Sequence, residues 1–286
     1  MKNVRIEKAE KLGLCLGVRR AAKLLKEAAA KYGEIETLGP VAHNRLLVEA
    51  LSDLGVKPIS RLDQARGKIL AITTHGTSPA LLSEIKARRI RIIDTTCPIV
   101  RKAQNAAREL ADAGFDVVVF GDAEHSEVKG LLGWAGDKGM AALDAKQIRK
   151  RGRSPSRLGI ISQTTQTQSA FIEFGSQLMA MAGPKADEIR LVNTLCQVTR
   201  DQQEAAAKLA RHSQLMIVIG GTNSANTRHL VEICSLLTET HSIETAEEVD
   251  ITWLAGKRRI GITAGASTPD QSVEELIDKL RSLVSE

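Results

Sequence analysis

Residues 94–110 read DTTCPIVRKAQNAAREL. The four residues before them, IRII at 90–93, are short and mostly apolar, the mark of a strand. A polar Asp-Thr-Thr follows, then Cys97 and Pro98, then a long helical pattern. Proline suits the first helical position because it has no N–H to leave unbonded. The stretch therefore predicts a strand, a turn and a helix, with the cysteine at the helix start. In open parallel sheets, ligands lie outside the carboxyl ends of the strands. Cys97 stands at that place.

Counting outward from Cys97 shows the unit written three times. Cys15 sits in LGLCLGVRRAAKLL, and Cys196 in VNTLCQVTRDQQEAAAKLA. Each cysteine has an arginine four positions on (Arg19, Arg101, Arg200) and opens an Ala-rich helical pattern. Twenty-eight residues beyond the three cysteines stand His43, His125 and Ser224, each just after an apolar strand and before a helix. A third register follows in KILAITTHGTSP, LGIISQTTQTQS and RIGITAGASTPD, whose turns carry His75 with Ser78, Thr164 with Thr165, and Ser267. One more short strand per copy is expected near 56–60, 141–144 and 242–245. Gly114 and Gly183-Pro184 read as helix stops, and 149–157 as the most loop-like stretch. The predicted fold class is α/β, with three pseudo-symmetric domains whose small, mostly parallel sheets surround a central site. Their expected bounds are 13–96, 97–195 and 196–286, with 1–12 adding a strand to the third. Around a threefold pseudo-axis, three thiols would meet.

Composition narrows the chemistry. With 286 residues the chain is too long for one small core. Apolar content of 43% is that of a soluble globule. Aromatics at 2% are too few for a base-stacking surface, so no nucleic-acid partner is expected. A net charge of +6 favours anionic small substrates or acidic partners. The charged start MKNVRIEKAEK lacks a signal sequence, and no apolar run approaches the roughly 18 residues of a membrane span. The expected location is cytoplasmic, without a membrane partner. There thiols stay reduced, so four cysteines do not form a disulfide framework.

Cys234, on an apolar helix face, reads as a small inert hydrophobe. The other three are equivalent within a repeat, and a helix N-terminus favours the thiolate that binds metal. Three thiolates can hold Zn(II), although structural zinc prefers four closed ligands. They can instead hold three corners of a [4Fe–4S] cluster, which normally takes four cysteines. That arrangement leaves one iron open to a substrate oxygen. The wide spacing, without a C-x-x-C, disfavours zinc ribbons and ferredoxin-type carriers. His43, His75, Ser224, Asn226 and Ser267, with helix N-terminal amides, suit an anion such as phosphate. Two positions past the 28-residue mark stand Arg45, Glu127 and Asn226. The lone acid is either a solvated helix-start glutamate or a proton donor. His212, His229 and His241 read as structural or solvated.

In this order the motifs LCLGVRRA, GPVAHN, THGTSP, DTTCPIVRK, HSEVKG, SQTTQT, NTLCQVT, GGTNSANT and TAGASTPD resemble those of the 4-hydroxy-3-methylbut-2-enyl diphosphate reductases. That family catalyses the last step of the methylerythritol phosphate route to isoprenoids. The resemblance covers nearly the whole chain. It implies three α/β domains around a [4Fe–4S] cluster held by Cys15, Cys97 and Cys196. It implies that His43, His75, His125, Thr164, Ser224, Ala225, Asn226 and Ser267 surround an allylic diphosphate, most of them on its diphosphate. Glu127 would be the proton donor and the substrate hydroxyl would bind the open iron. Two electrons and two protons would then release that hydroxyl as water, giving isopentenyl and dimethylallyl diphosphates. Two positions depart from the family's usual pattern. Ser126 stands where His-Pro-Glu is the rule, and Ala225 stands where a second serine is common, leaving a backbone N–H for the phosphate.

Three other readings stay open on the residues alone. They are another three-cysteine cluster enzyme resembling quinolinate synthase, a non-catalytic iron or redox sensor, and a structural zinc protein. The basic groups at 66–68, 149–157 and 257–259 precede strands. They form either a solvated face or a dock for an acidic electron donor such as ferredoxin or flavodoxin.

Overall fold

The computed structural model describes residues 4–149, 156–182 and 186–285. Twelve strands and ten α-helices alternate through these residues. The strands form three parallel sheets of four, as the repeat predicts.

The first sheet takes β2 (Ile35–Leu38), β3 (Val56–Ile59), β4 (Ile69–Ile72) and β5 (Arg91–Asp94). The second takes β6 (Asp116–Phe120), β7 (Gly139–Ala142), β8 (Arg157–Ser162) and β9 (Glu188–Leu191). The third takes β10 (Leu215–Ile219), β11 (Glu239–Ile243) and β12 (Arg259–Ala264), and is completed by β1 (Arg5–Lys8). Their orders are β3-β2-β4-β5, β7-β6-β8-β9 and β11-β10-β12-β1. The order is the same each time, with β1 in the place of the fourth strand. Registers agree as well: Leu38 faces Ile72, Phe120 faces Ser162 and Ile219 faces Ala264.

The helices are α1 (Leu16–Tyr32), α2 (Arg45–Ser52), α3 (Pro79–Ala87), α4 (Pro98–Asp112), α5 (Ser126–Ala135), α6 (Ala145–Arg149), α7 (Gln168–Ala182), α8 (Gln197–Ala210), α9 (Ala225–Ser235) and α10 (Asp270–Ser285). The central strands DVVVF and LMIVI are near-continuous apolar runs, as strands covered on both faces require. In the second sheet Val117 and Val119 face α4 and α5, while Val118 and Phe120 face α6 and α7. In the third, Ile217 and Ile219 pack with α10, and Met216 and Val218 with α8 and α9. Each such side chain contributes roughly 1.5–3 kcal/mol on burial. α4 ends at Asp112, and the Gly114 stop takes φ +90. Gly183-Pro184, residues 1–3 and most of the 149–157 loop lie outside the described residues.

The chain divides into two compact units. One comprises Met1–Arg19, Ala42–Asp53 and Gln197–Glu286, and holds the third sheet. The other comprises Arg20–Val41 and Leu54–Cys196, and holds the first two sheets. Within the larger unit, α5 packs against α3 and α4. An added Cβ on Gly133 of α5 would lie 2.3 Å from the Ser78 side chain just before α3, so a glycine sets that spacing. Among the described residues no helix is long and apolar enough to cross a membrane.

Candidate active site

The three cysteines share one local structure. Each follows the fourth strand of a sheet and precedes a helix. The Cys97 N–H donates to the Thr74 carbonyl at 3.0 Å, that of Cys196 to Thr164 at 2.8 Å and that of Cys15 to Ala266 at 2.9 Å. Thr74, Thr164 and Ala266 all lie two residues past the end of a third strand. Two residues before each cysteine there is a second tie to the last residue of that strand. Thr95 bonds Ile72 through both its N–H and its hydroxyl, the Thr194 hydroxyl bonds Ser162, and the Gly13 N–H bonds Ala264. Gly13 takes φ +73, a conformation that favours glycine. These pairings join residues far apart in sequence, and no local signal announces them.

The larger unit gathers His75, Cys97, His125, Glu127, Thr164 and Cys196. His125 caps α5, its Nδ1 accepting from the Glu127 N–H at 3.2 Å. Its ring meets that of His75 edge-on at 5.6 Å. His75 Nδ1 lies 3.3 Å from the Thr73 hydroxyl. Glu127 is only 2% exposed. Its Oε1 accepts from the Thr164 N–H at 2.7 Å, and its Oε2 from the Thr164 hydroxyl at 3.0 Å. Burial raises its pKa to about 7, and the two Thr164 donors pull the other way without winning. The solvated helix-start reading of Glu127 is therefore wrong. The acid is buried, half-protonated near neutrality and held at both oxygens.

Cys97 corrects one sequence expectation. The Ile99 and Val100 amides at the start of α4 do lower its pKa, yet it is raised overall. Burial is the largest cause, and the charges of Cys196 and Glu127 add to it. Two thiols and a carboxyl thus converge and repel one another as anions. Such a set is relieved by a cationic metal centre among the thiols. All three cysteines are unbridged and partly accessible. The two thiols that the larger unit brings together, Cys97 and Cys196, are soft ligands of the kind an iron–sulfur cluster takes. Cys234 differs: it is fully buried on the inner face of α9 and burial pushes its pKa up to about 11, as suits a core residue.

The smaller unit gathers Cys15, His43, Ser224, Ala225, Asn226 and Ser267. Ser224 caps α9, accepting from the Thr227 N–H at 3.3 Å, and Ala225 is the first helical residue. The Ser267 hydroxyl donates to the His43 carbonyl at 3.4 Å. A Cβ on Gly221 would lie 2.2 Å from that same carbonyl, so only glycine allows this approach. Burial, and then the charge of Arg228, lowers the His43 pKa, so its ring is neutral near pH 7. The buried Asn226 donates through Nδ2 to Gln202 at 3.5 Å, and Gln202 in turn donates to the Gly13 carbonyl at 2.8 Å. Asn226 Oδ1 is buried and has no hydrogen-bond partner among the described residues.

Sequence reasoning missed Asn44, Gln202, Thr95 and Thr194. Asn44 caps α2, donated to by the Leu47 N–H at 3.0 Å, so in the first copy the cap falls one residue past the 28-residue mark. His241 lies inside β11 and stacks on Trp253 at 3.9 Å. Two of the basic groups are partly neutralised within their own units. Arg157 pairs with Glu188 at 2.6 Å and covers Phe115, and Lys257 pairs with Glu239.

A family model described as LytB protein matches residues 6–281. A 4-hydroxy-3-methylbut-2-enyl diphosphate reductase of Dehalococcoides mccartyi strain CBDB1 is 44% identical over 98% of this chain and 99% of its own. A solved (E)-4-hydroxy-3-methyl-but-2-enyl diphosphate reductase, described as the terminal enzyme of the non-mevalonate pathway, is 36% identical. It covers 99% of this chain and 100% of its own with a TM-score of 0.71. The E-1-hydroxy-2-methyl-but-2-enyl-4-diphosphate reductase of Plasmodium falciparum shares the fold, with a TM-score of 0.90 at 24% identity over 96% of this chain and 87% of its own.

Proposed function

This chain belongs to the LytB protein family, and on that premise we propose that it is a [4Fe–4S]-dependent 4-hydroxy-3-methylbut-2-enyl diphosphate reductase. The reaction breaks the allylic C–O bond with two electrons and two protons. It yields water with isopentenyl and dimethylallyl diphosphates. Cys15, Cys97 and Cys196 would each supply one thiolate to the cluster. When bound, the cluster supplies single electrons and a Lewis-acidic iron.

The protein's own part is to bind the anion and to deliver a proton. Ser224, Ser267 and Asn226 offer polar side chains, and Ala225 an N–H at the start of α9, where the helix dipole favours negative charge. His43, neutral in the absence of ligand, gains charge most readily beside a phosphate. His75 and His125 stand together beside the Glu127 helix start. Glu127 Oε carries the proton to the bound substrate, and Thr164 holds the carboxylate left behind. The observation that carries this reading is the buried Glu127 carboxyl, bonded at both oxygens by Thr164 and poised near neutrality. A sensor or a zinc site has no use for such a group. The electrons come from a small acidic protein carrier such as ferredoxin or flavodoxin, drawn to a chain of net charge +6. We place the reaction in the cytoplasm.

The test is anaerobic loading with iron and sulfide, followed by product analysis with the hydroxylated diphosphate. Both isoprenoid diphosphates are expected. A cluster-loaded protein that makes neither would overturn the reading.

A further inference from the structure

The strand end that carries Cys196 and the turn that holds Glu127 are bonded to each other at two points. At one, the buried Thr194 hydroxyl accepts from the Ser162 N–H at 2.8 Å and donates to the Ser162 carbonyl at 2.6 Å. At the other, the Cys196 N–H donates to the Thr164 carbonyl at 2.8 Å. Residues 162–164 and 194–196 thus form a short closed frame. Its outer corner, Thr164, presents the N–H and the hydroxyl that hold Glu127.

We propose that Thr194 is a positioning residue that fixes the Thr164 turn on Glu127 and makes that placement move together with Cys196. Parallel pairing alone does not do this. β8 and β9 pair as far as Ile160 and Leu191, with one further bond from the Val192 N–H to the Ile160 carbonyl at 2.8 Å, so past Val192 the frame is held by the Thr194 side chain and the turn. A hydroxyl that accepts from the N–H and donates to the C=O of one residue fixes the two peptide groups on either side of it. The first copy has a simpler form of the tie, in which the Thr95 hydroxyl and N–H both donate to the Ile72 carbonyl and the Cys97 N–H donates to Thr74, one residue before His75. The third has no hydroxyl at Gly13, and no carboxylate depends on that turn. The side-chain tie thus occurs where a titratable side chain follows or faces the turn.

The inference rests on Glu127 being the proton donor for its turnover arm only. The hydrogen-exchange arm, done on cluster-free protein, stands without it. In Thr194→Val the Thr164 amide should exchange about tenfold faster or more while the protein stays folded. With cluster loaded, the Glu127-dependent limb of the pH–rate profile should move to higher pH, because the Thr164 bonds that favour the carboxylate are weakened. Thr194→Ser keeps the hydroxyl and should restore both. Thr95→Val, equally buried, should leave the Thr164 amide as it was. If Thr194→Val does not fold, the parent decides the matter. The Ser162, Thr164 and Cys196 amides should then open with one common exchange free energy. Independent opening, an unmoved Thr164 amide in the valine variant, or a loss that serine does not restore would overturn the proposal. Faster Thr164 exchange with an unchanged pH–rate profile would instead count against the Glu127 reading.

Discussion

The turn after β8 and the turn after β12 share one backbone bond, a cysteine N–H on the second residue past the strand, and each has a tie two residues earlier, through the Thr194 hydroxyl in one and the Gly13 N–H in the other. Their side chains do different work. After β8, Thr164 spends its N–H and hydroxyl on the buried Glu127. After β12, Ser267 reaches the His43 carbonyl, and the nearby helix start presents Ser224 and Asn226 with no acid at all. The repeated backbone places the cysteines, and on the proposed function what varies between copies divides proton delivery from anion binding. A carboxylate in the anion-binding copy would repel the substrate it serves. A neutral amide in the other would have no proton to give.

Substitutions can break this comparison where the copies are alike and sharpen it where they differ. The largest effect is expected where they are alike. Cys15→Ala, Cys97→Ala and Cys196→Ala should each abolish turnover and most cluster binding, measured as iron and sulfide per chain. One cysteine that proves dispensable would break the equivalence.

Next comes the acid. Glu127→Gln should keep its cluster and lose about 100-fold or more in rate. The parent's rate should fall above about pH 7, where Glu127 loses its proton. Stability gives an independent readout. Because folding raises the Glu127 pKa, the native state holds the proton more tightly than the unfolded chain. Stability should therefore fall as pH rises from the ordinary carboxylate range to about 7. The shift is worth about 3 kcal/mol. Thermal melts of Glu127→Gln should lack that dependence.

In the anion-binding copy the effect is smaller and of another kind. Ser224→Ala removes the α9 cap, which costs about 1 kcal/mol of stability. It should raise KM more than it lowers kcat. An equal loss in both would place Ser224 in the chemical step. Cys234→Ala should do least: iron content unchanged, and a stability loss of about 1 kcal/mol from the small void under α9.

Much of this could be read from the chain because the repeat is local. Cys97, His125 and Glu127 keep their offsets from turn to turn, and DVVVF and LMIVI announce covered strands. What escaped the sequence is long-range or a balance of opposing effects. The Thr194 tie to Ser162 joins positions 32 apart, and a lone threonine before a cysteine carries no sign of it. The helix start at Cys97 favours a thiolate, but burial wins, and burial is a property of the packed unit. In the same way α2 begins one residue later than its counterparts, so Asn44 and not His43 caps it.

The central claim is that three thiolates hold four irons, and Mössbauer spectroscopy of the anaerobically loaded protein tests it most directly. About one quarter of the iron signal should be distinct from the rest, and it should shift when the hydroxylated diphosphate is added. Four irons of one kind, unmoved by that substrate, would contradict it.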